Sequence, residues 1–167
     1  VYVPCSDKIY FSDMERGAFV KEGVVPDPDA SFTINELYQG ALQLPLTEKV
    51  NTPLRVTFSR MNNSPDTGRF IELLRERQVE LEEMPVGSSL KFCLVAEGTA
   101  DLYVRTTVTY EWDTAAGHAI VAAAGAKAFD MVCQHTLKYN KEALEHPYFI
   151  FKSKFIPDRV PPFSPNL

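Results

Sequence analysis

Gly87-Ser88-Ser89-Leu90-Lys91-Phe92-Cys93-Leu94-Val95-Ala96-Glu97-Gly98 carries the punctuation of a helix: a glycine and two hydroxyls open it, and a second glycine closes it after Glu97. Leu90, Phe92, Cys93, Leu94 and Val95 put apolar surface around most of that helix, which predicts a place between layers rather than on a surface. Upstream, residues 78–84 alternate Val79 and Leu81 against Glu80 and Glu82, a strand with one wet face that Pro85 is expected to stop. Ser64-Pro65-Asp66 places an N-cap, a proline at the first helical position and an acid in the first turn. A helix over 65–77 follows, with Phe70, Leu73 and Leu74 on its buried face. Residues 54–59 form the strand before it. Downstream, 100–105 reads as a strand, 113–124 as a helix poor in bulky side chains, and 147–152 as a terminal strand. Strand and helix alternating from Leu54 onward indicate an α/β layered domain.

In front of that unit, residues 1–3, 8–12 and 18–21 are short strands separated by Pro4-Cys5-Ser6-Asp7 and Glu15-Arg16-Gly17, an antiparallel meander. Residues 22–53, with Pro26, Asp27, Pro28 and Asp29, form a surface excursion with one helical turn at 34–39. The resulting division is 1–53 for opening strands and connecting loop, 54–155 for the α/β substrate-binding domain, and 156–167 for an extended Pro-rich tail. The chain opens on Val1 in a strand-like run, not on Met with a polar leader, and reads as cut at its front. The opening strands are then expected to expose edges and apolar faces and to associate or lose order.

The 167 residues are 45% hydrophobic and 23% charged, enough for a real core and too balanced for a disordered chain. Seventeen Lys and Arg against 22 Asp and Glu give a net charge of −5, which argues against a nucleic-acid polymer as partner and makes any anion site local. Cys5, Cys93 and Cys133 are far apart, with no Cys-x-x-Cys pair, so a disulfide framework or zinc knuckle is not indicated and a reducing, cytosolic setting fits. The longest apolar stretch, 119–125, is far shorter than the roughly 20 residues of a membrane-spanning helix.

Glu111-Trp112-Asp113-Thr114-Ala115-Ala116-Gly117 is the most informative chemical segment: an acid opens a helix whose next turn is almost bare. The unpaired N–H groups and dipole of such an end favour an anion, and a carboxylate there can take a hard cation such as Mg²⁺. The plainer reading of Asp113 is an N-cap on a tightly packed helix, and one carboxylate does not make a metal site. Gly87, Ser88 and Lys91 combine a glycine entry, a hydroxyl and an ammonium at a helix start, which suits a phosphate monoester; a Ser-capped helix with a solvated lysine is the plainer alternative. Arg105, ending the next strand, is a second phosphate fork or one half of an exposed ion pair. His118 lies about 140° around the helix from Asp113, and His118, His135 and His146 are read as satisfied or surface groups.

Taken with Leu137-Lys-Tyr-Asn-Lys141 and Pro147-Tyr-Phe-Ile150, these segments resemble the 3'(2'),5'-bisphosphate nucleotidases of the inositol monophosphatase superfamily, from Val1 to about Ile150. Trp112-Asp-Thr-Ala-Ala-Gly117 marks the superfamily, and Gly87-Ser-Ser-Leu-Lys91 points to the nucleotidase branch. The resemblance implies a layered α/β/α/β/α sandwich, of which this chain holds the carboxy-terminal mixed-sheet part plus strands of the first sheet. It implies a Mg²⁺-dependent, lithium-sensitive cytoplasmic phosphatase of sulfur metabolism, soluble or peripheral to the inner membrane. Its substrate would be adenosine 3',5'-bisphosphate or a related phosphate monoester, with AMP as product. Asp113 would ligate metal and touch the phosphate as the catalytic residue, while Gly87, Ser88, Lys91 and Arg105 line the nucleotide site.

Two positions depart from the family pattern: Asn62 stands where a histidine is usual, and Gly125-Ala126 replaces Gly-Gly. The Glu-Glu pair and the Asp-Pro-x-Asp-Gly-Thr motif have no counterpart in the 167 residues, Pro26-Asp27-Pro28-Asp29 being in the wrong place and lacking Gly-Thr. Several hard oxygen ligands are needed for metal-assisted hydrolysis. The chain alone is therefore expected to be a substrate-binding half with little or no turnover, its partner being the amino-terminal half of the same enzyme. A non-catalytic phosphate- or nucleotide-binding module, and an inositol or sugar monophosphatase of the same superfamily, are the alternatives.

Overall fold

The computed structural model describes residues 1–29, 31, 33–61 and 64–156; Asn62 and the expected tail beyond Ile156 lie outside them. Strands β1 (Tyr2–Val3), β2 (Lys8–Asp13), β3 (Gly17–Lys21) and β4 (Leu42–Gln43) pair in that order into an antiparallel sheet. A 3-10 turn at Pro4–Ser6 joins the first two strands. The β2–β3 hairpin is closed by the Asp13 carboxylate, which accepts the Glu15 and Arg16 N–H groups and is held below the usual carboxylate range by them. Helix α1 (Ile34–Tyr38) is set by a capping box between Thr33 and Glu36.

From Leu54 the order is β5 (Leu54–Ser59), α2 (Pro65–Glu76), β6 (Leu81–Val86), α3 (Leu90–Glu97), β7 (Leu102–Arg105), β8 (Thr109–Tyr110), α4 (Glu111–Ala123), β9 (Lys127–Asp130), β10 (Glu145–His146) and β11 (Phe149–Lys152). The second sheet has the order β6-β5-β7-β11-β9, with β5 parallel to both β6 and β7 and β11 antiparallel to β7 and β9. Strands β8 and β10 form a separate antiparallel ribbon.

Helices α3 and α4 lie between the sheets. One buried cluster joins Val3, Tyr10, Ala18 and Val20 of the front sheet to Phe92, Cys93 and Val95 of α3, Ile120 and Val121 of α4, and Tyr103, Phe149 and Phe151 of the second sheet. A second cluster packs Phe70 and Leu74 of α2 on Val56, Leu102, Val104 and Ile150 across the opposite face. The layers therefore run β/α/β/α, four of the five expected, and the all-round apolar surface of α3 is explained by its middle position.

The opening strands are not bare on the inner face: Tyr10 and Val20 are buried against the helices, and the Tyr10 hydroxyl donates to Glu97 Oε1 at 2.6 Å. This corrects the expected exposure for that face, because α3 and α4 supply the apolar partner within the chain itself. On the outer face Phe11 stacks on Phe19, with Tyr38 edge-on to both. Strand β6 runs through Pro85 instead of stopping there, since an edge strand bonds a neighbour on one side only. Gly98 and Gly125 take φ +83° and +81°, and Ala126 does not share that conformation, so a single glycine suffices after α4. Among the described residues no helix is long and apolar enough to cross a membrane.

Candidate active site

Strand order places the site. From β5 the chain crosses by α2 to β6 on one side, then by α3 to β7 on the other, so the direction of winding reverses at β5. Ligands of open α/β sheets bind beyond the carboxyl ends of strands at such a reversal. Ser59 ends β5, the turn at residues 87–89 follows β6, and Arg105 ends β7. A cavity of about 620 Å³ opens there, lined by Ser59, Ser88, Lys91, Tyr103, Arg105 and Asp113 among others. Ser88, Lys91, Arg105 and Asp113 are thus brought together. Gly87 is not; it lines a neighbouring cavity on the other side of the turn.

Lys91 is 3% exposed, and its ammonium donates to the Ser88 carbonyl at 2.6 Å and the Val86 carbonyl at 3.3 Å. It also lies 5.2 Å from the centre of the Tyr103 ring. It is not the solvated lysine of a simple capped helix, and Ser89, at the N-cap position, makes no side-chain capping bond. Burial first, and the nearby Arg105 charge second, push the Lys91 ammonium down to about 8. The Arg105 guanidinium donates from Nε to Thr109 Oγ1 at 2.8 Å, which turns it along the cavity wall. Two cations facing one cavity favour an anion between them.

A binding curve follows from the Lys91 proton. A phosphate monoester is dianionic well above its second pKa of about 6, so between about pH 7 and about pH 9 the titrating partner is Lys91, which burial has pushed down to about 8. Affinity is expected to fall about tenfold per pH unit once the pH exceeds that value, because only the protonated amine attracts the anion. Lys91→Met should weaken binding about thirtyfold at neutral pH and abolish the slope, as read by calorimetric titration.

Asp113 is not the N-cap. Helix α4 begins two residues earlier at Glu111, so Asp113 occupies the third helical position and its Oδ2 reaches back to accept the Tyr110 N–H at 3.0 Å. That bond fixes the carboxylate beside the cavity. The bare turn beyond it serves packing as well as access: a Cβ on Gly117 would lie 2.4 Å from Cγ of Phe92. Behind α4, Thr114 Oγ1 bonds His146 Nε2 at 2.8 Å and Tyr139 at 3.1 Å, while His118 Nδ1 bonds Tyr139 at 2.8 Å. His118 and His146 are both held by hydrogen bonds behind the helix, although His146 Nδ1 is buried without a partner among the described residues, and burial lowers both. Glu111 accepts the Asn140 and Lys141 N–H groups and the Lys141 ammonium, tying the 139–141 loop to the helix start.

Several lining groups were not foreseen from sequence: Ser59, Tyr103, Thr109, and the rings of Tyr110 and Trp112, which stack at 4.6 Å and 5°. Trp112, the sole tryptophan, is 66% exposed on the rim. The carboxyl-end rule was the one signal that could have found Ser59.

The chain matches the inositol monophosphatase family over residues 1–158. It is 45% identical over 98 residues to the 3'(2'),5'-bisphosphate nucleotidase CysQ of Salmonella typhimurium, a match covering 58% of this chain and 38% of that protein. The Escherichia coli (strain K12) CysQ is 49% identical over 78 residues, 47% of this chain and 30% of that protein. Among solved structures, CysQ from Bacteroides thetaiotaomicron superposes with TM-score 0.83 at 38% identity over 92% of this chain and 56% of its own. Mycobacterium tuberculosis SuhB, at TM-score 0.53 and 18% identity, shares the fold. The chain spans little more than half the length of that solved CysQ and less of the curated relatives. With its layers, its cavity at the strand ends and the match over nearly its whole length, this chain belongs to the inositol monophosphatase family.

Proposed function

We propose that the chain forms the phosphate-binding side of a Mg²⁺-dependent phosphatase that removes the 3'-phosphate of adenosine 3',5'-bisphosphate. The observation that carries this is the pairing of a buried Lys91 ammonium, hydrogen-bonded to carbonyls only, with Arg105 on the cavity that Asp113 also lines. Lys91 and Arg105 hold and neutralise phosphate oxygens, and the exposed Ser88 backbone lies beside them. The 3'(2'),5'-bisphosphate nucleotidase activity for which the CysQ relatives are named supports a nucleotide as the phosphate's carrier.

The described residues do not fit the magnesium site by themselves. Asp113 is the one carboxylate lining the cavity, and among the described residues no group of three or more His, Cys, Asp or Glu could hold a metal. Magnesium takes near-octahedral oxygen coordination, so Asp113 would be one ligand and the remainder would have to come from elsewhere. The same observation favours a second reading, a binding module without chemistry. Under either, the purified chain with Mg²⁺ is expected to bind adenosine 3',5'-bisphosphate, shifting the Trp112 fluorescence, and to release phosphate at the background rate. Robust turnover by the chain alone would overturn the one-sided site. Absence of binding by calorimetry would remove the phosphate site, and tighter binding of inositol 1-phosphate would move the substrate to the inositol branch.

A further inference from the structure

Strand β10 is two residues long, and of the two only His146 is buried, at 6% exposure. It pairs with β8, His146 opposite Thr109 and Glu145 opposite Tyr110. Both residues of β8 hold a cavity group. Thr109 Oγ1 accepts from Arg105 Nε at 2.8 Å, and the Tyr110 N–H donates to Asp113 Oδ2 at 3.0 Å. Just before β10, the Leu144 carbonyl accepts the Glu111 N–H at 3.0 Å, which fastens the head of α4 to the same ribbon.

His146 ties that ribbon to α4 by a side-chain bond. Thr114 Oγ1 gives its own proton to the Glu111 carbonyl at 3.2 Å, so it accepts from His146 Nε2 at 2.8 Å. A neutral imidazole with its proton on Nε2 makes this bond. His146 Nδ1 is buried with no partner among the described residues. A second proton would have to go there, leaving a buried N–H and a charge with no acceptor. The neighbours do not relieve it. From α4 the ring meets the fields of Glu111, Asp113 and His118, from the 139–141 loop Tyr139 and Lys141, and from β11 the apolar Phe149 ring. Burial first, and the Lys141 charge second, hold the imidazole below its usual range against the opposing pull of Glu111 and Asp113. Glu111 is itself already paired with Lys141.

We propose that His146 is a positioning residue for the phosphate site and acts only as the neutral imidazole: a proton on Nδ1 releases the β8–β10 ribbon and with it the tethers of Arg105 and Asp113. This rests on the phosphate site proposed above and gives it an acid limit opposite the alkaline one set by Lys91.

The Tyr110 N–H reports on the tether directly, because its acceptor is Asp113. Once the ribbon opens, the imidazole titrates at its ordinary value of about 6.5. The open form then binds the extra proton and gains as the pH falls, by about thirtyfold between about pH 7.5 and about pH 5. Protection of the Tyr110 and Glu111 amides, read by hydrogen exchange in NMR and corrected for intrinsic rates, is expected to fall by that factor. His146→Gln, whose side-chain amide can donate where Nε2 does and takes no proton, should keep the protection of about pH 7.5 and lose its pH dependence. His118→Asn should retain the dependence. Calorimetric titration with inorganic phosphate at about pH 7.5 should show His146→Ala binding about fivefold more weakly than the parent, with His146→Gln restoring the parent affinity.

A pH dependence that survives in His146→Gln, or vanishes in His118→Asn, would overturn the assignment. Should the variants fail to fold, nitrogen-15 imidazole shifts of the parent decide: a neutral ring with its proton on Nε2 is expected, and a proton on Nδ1 while the amides stay protected would overturn it. Equal phosphate affinity of His146→Ala and the parent would remove the positioning role and leave the phosphate site standing. A parent that binds no phosphate would remove the site and the positioning role together, whatever the exchange rates show.

Discussion

Gly117→Ala is expected to destabilise the chain by about 3 kcal/mol, the upper part of the range for forcing extra volume into a packed core. A methyl there would lie 2.4, 2.5 and 2.9 Å from Cγ, Cδ2 and Cβ of Phe92. The ring cannot retreat. Phe92 is 3% exposed and meets Tyr103 and Phe151 edge-on at 5.0 Å each. Relief has to come from moving α4 off α3, which would displace Asp113 from Lys91 and weaken phosphate binding as well. The same substitution at Gly68, exposed in α2 with nothing within 4 Å of a built Cβ, should instead stabilise by up to about 1 kcal/mol, the ordinary helix-propensity gain. Urea denaturation of both variants gives the two signs. A Phe92→Ala, Gly117→Ala double variant should lose less than the two single losses added, because removing the ring makes room for the methyl. Strict additivity would show that the contact is not the cause.

Asp101→Ala should cost about 3 kcal/mol through lost charge-assisted hydrogen bonds. Asp101 is 1% exposed; its Oδ1 accepts the Asn51 N–H at 3.1 Å and its Oδ2 the Arg55 N–H at 2.8 Å. Its own N–H donates to the Arg55 carbonyl, and its carbonyl accepts from Ser153, each at 2.8 Å. One residue thus joins the starts of β5 and β7 to the end of β11. The far ends of β5 and β7 carry Ser59 and Arg105, so slippage at Asp101 should reach the cavity. Asp101→Asn retains one carbonyl oxygen and should recover about half the loss. Equal stability of the Ala variant and the parent in urea titration would contradict the assignment.

The readable parts of this sequence were those where local chemistry and tertiary place agree. Pro65 and Asp66 set the start of α2, Gly98 the end of α3, and the apolar circumference of α3 its middle layer. Two-residue strands such as β8 and β10 have no period to detect, and they exist because Thr109 and Tyr110 find Glu145 and His146 far along the chain. Lys91 was legible as a cation at a helix start, but its burial was not, because that depends on the turn folding over it. The acid in the sequence points to Asp113 as the head of its helix, whereas Tyr110 supplies the extended residue before the first turn. The aromatic lining escaped because Tyr103 of β7 and Trp112 of α4 reach one cavity through topology, not through spacing.

Two of the open borders of the sheets, β6 and β1, differ in how they would receive a foreign strand. At the β6 border an incoming backbone would encounter Glu82 and Glu83, both exposed, and Pro85, which has no amide hydrogen to offer. Such features discourage lateral polymerisation into fibrils. The β1 border, Tyr2–Val3, has no charged or imino residue to act as a gatekeeper. Strand addition is therefore opposed at the β6 edge by charge and by a missing amide, and the β1 edge carries neither obstacle.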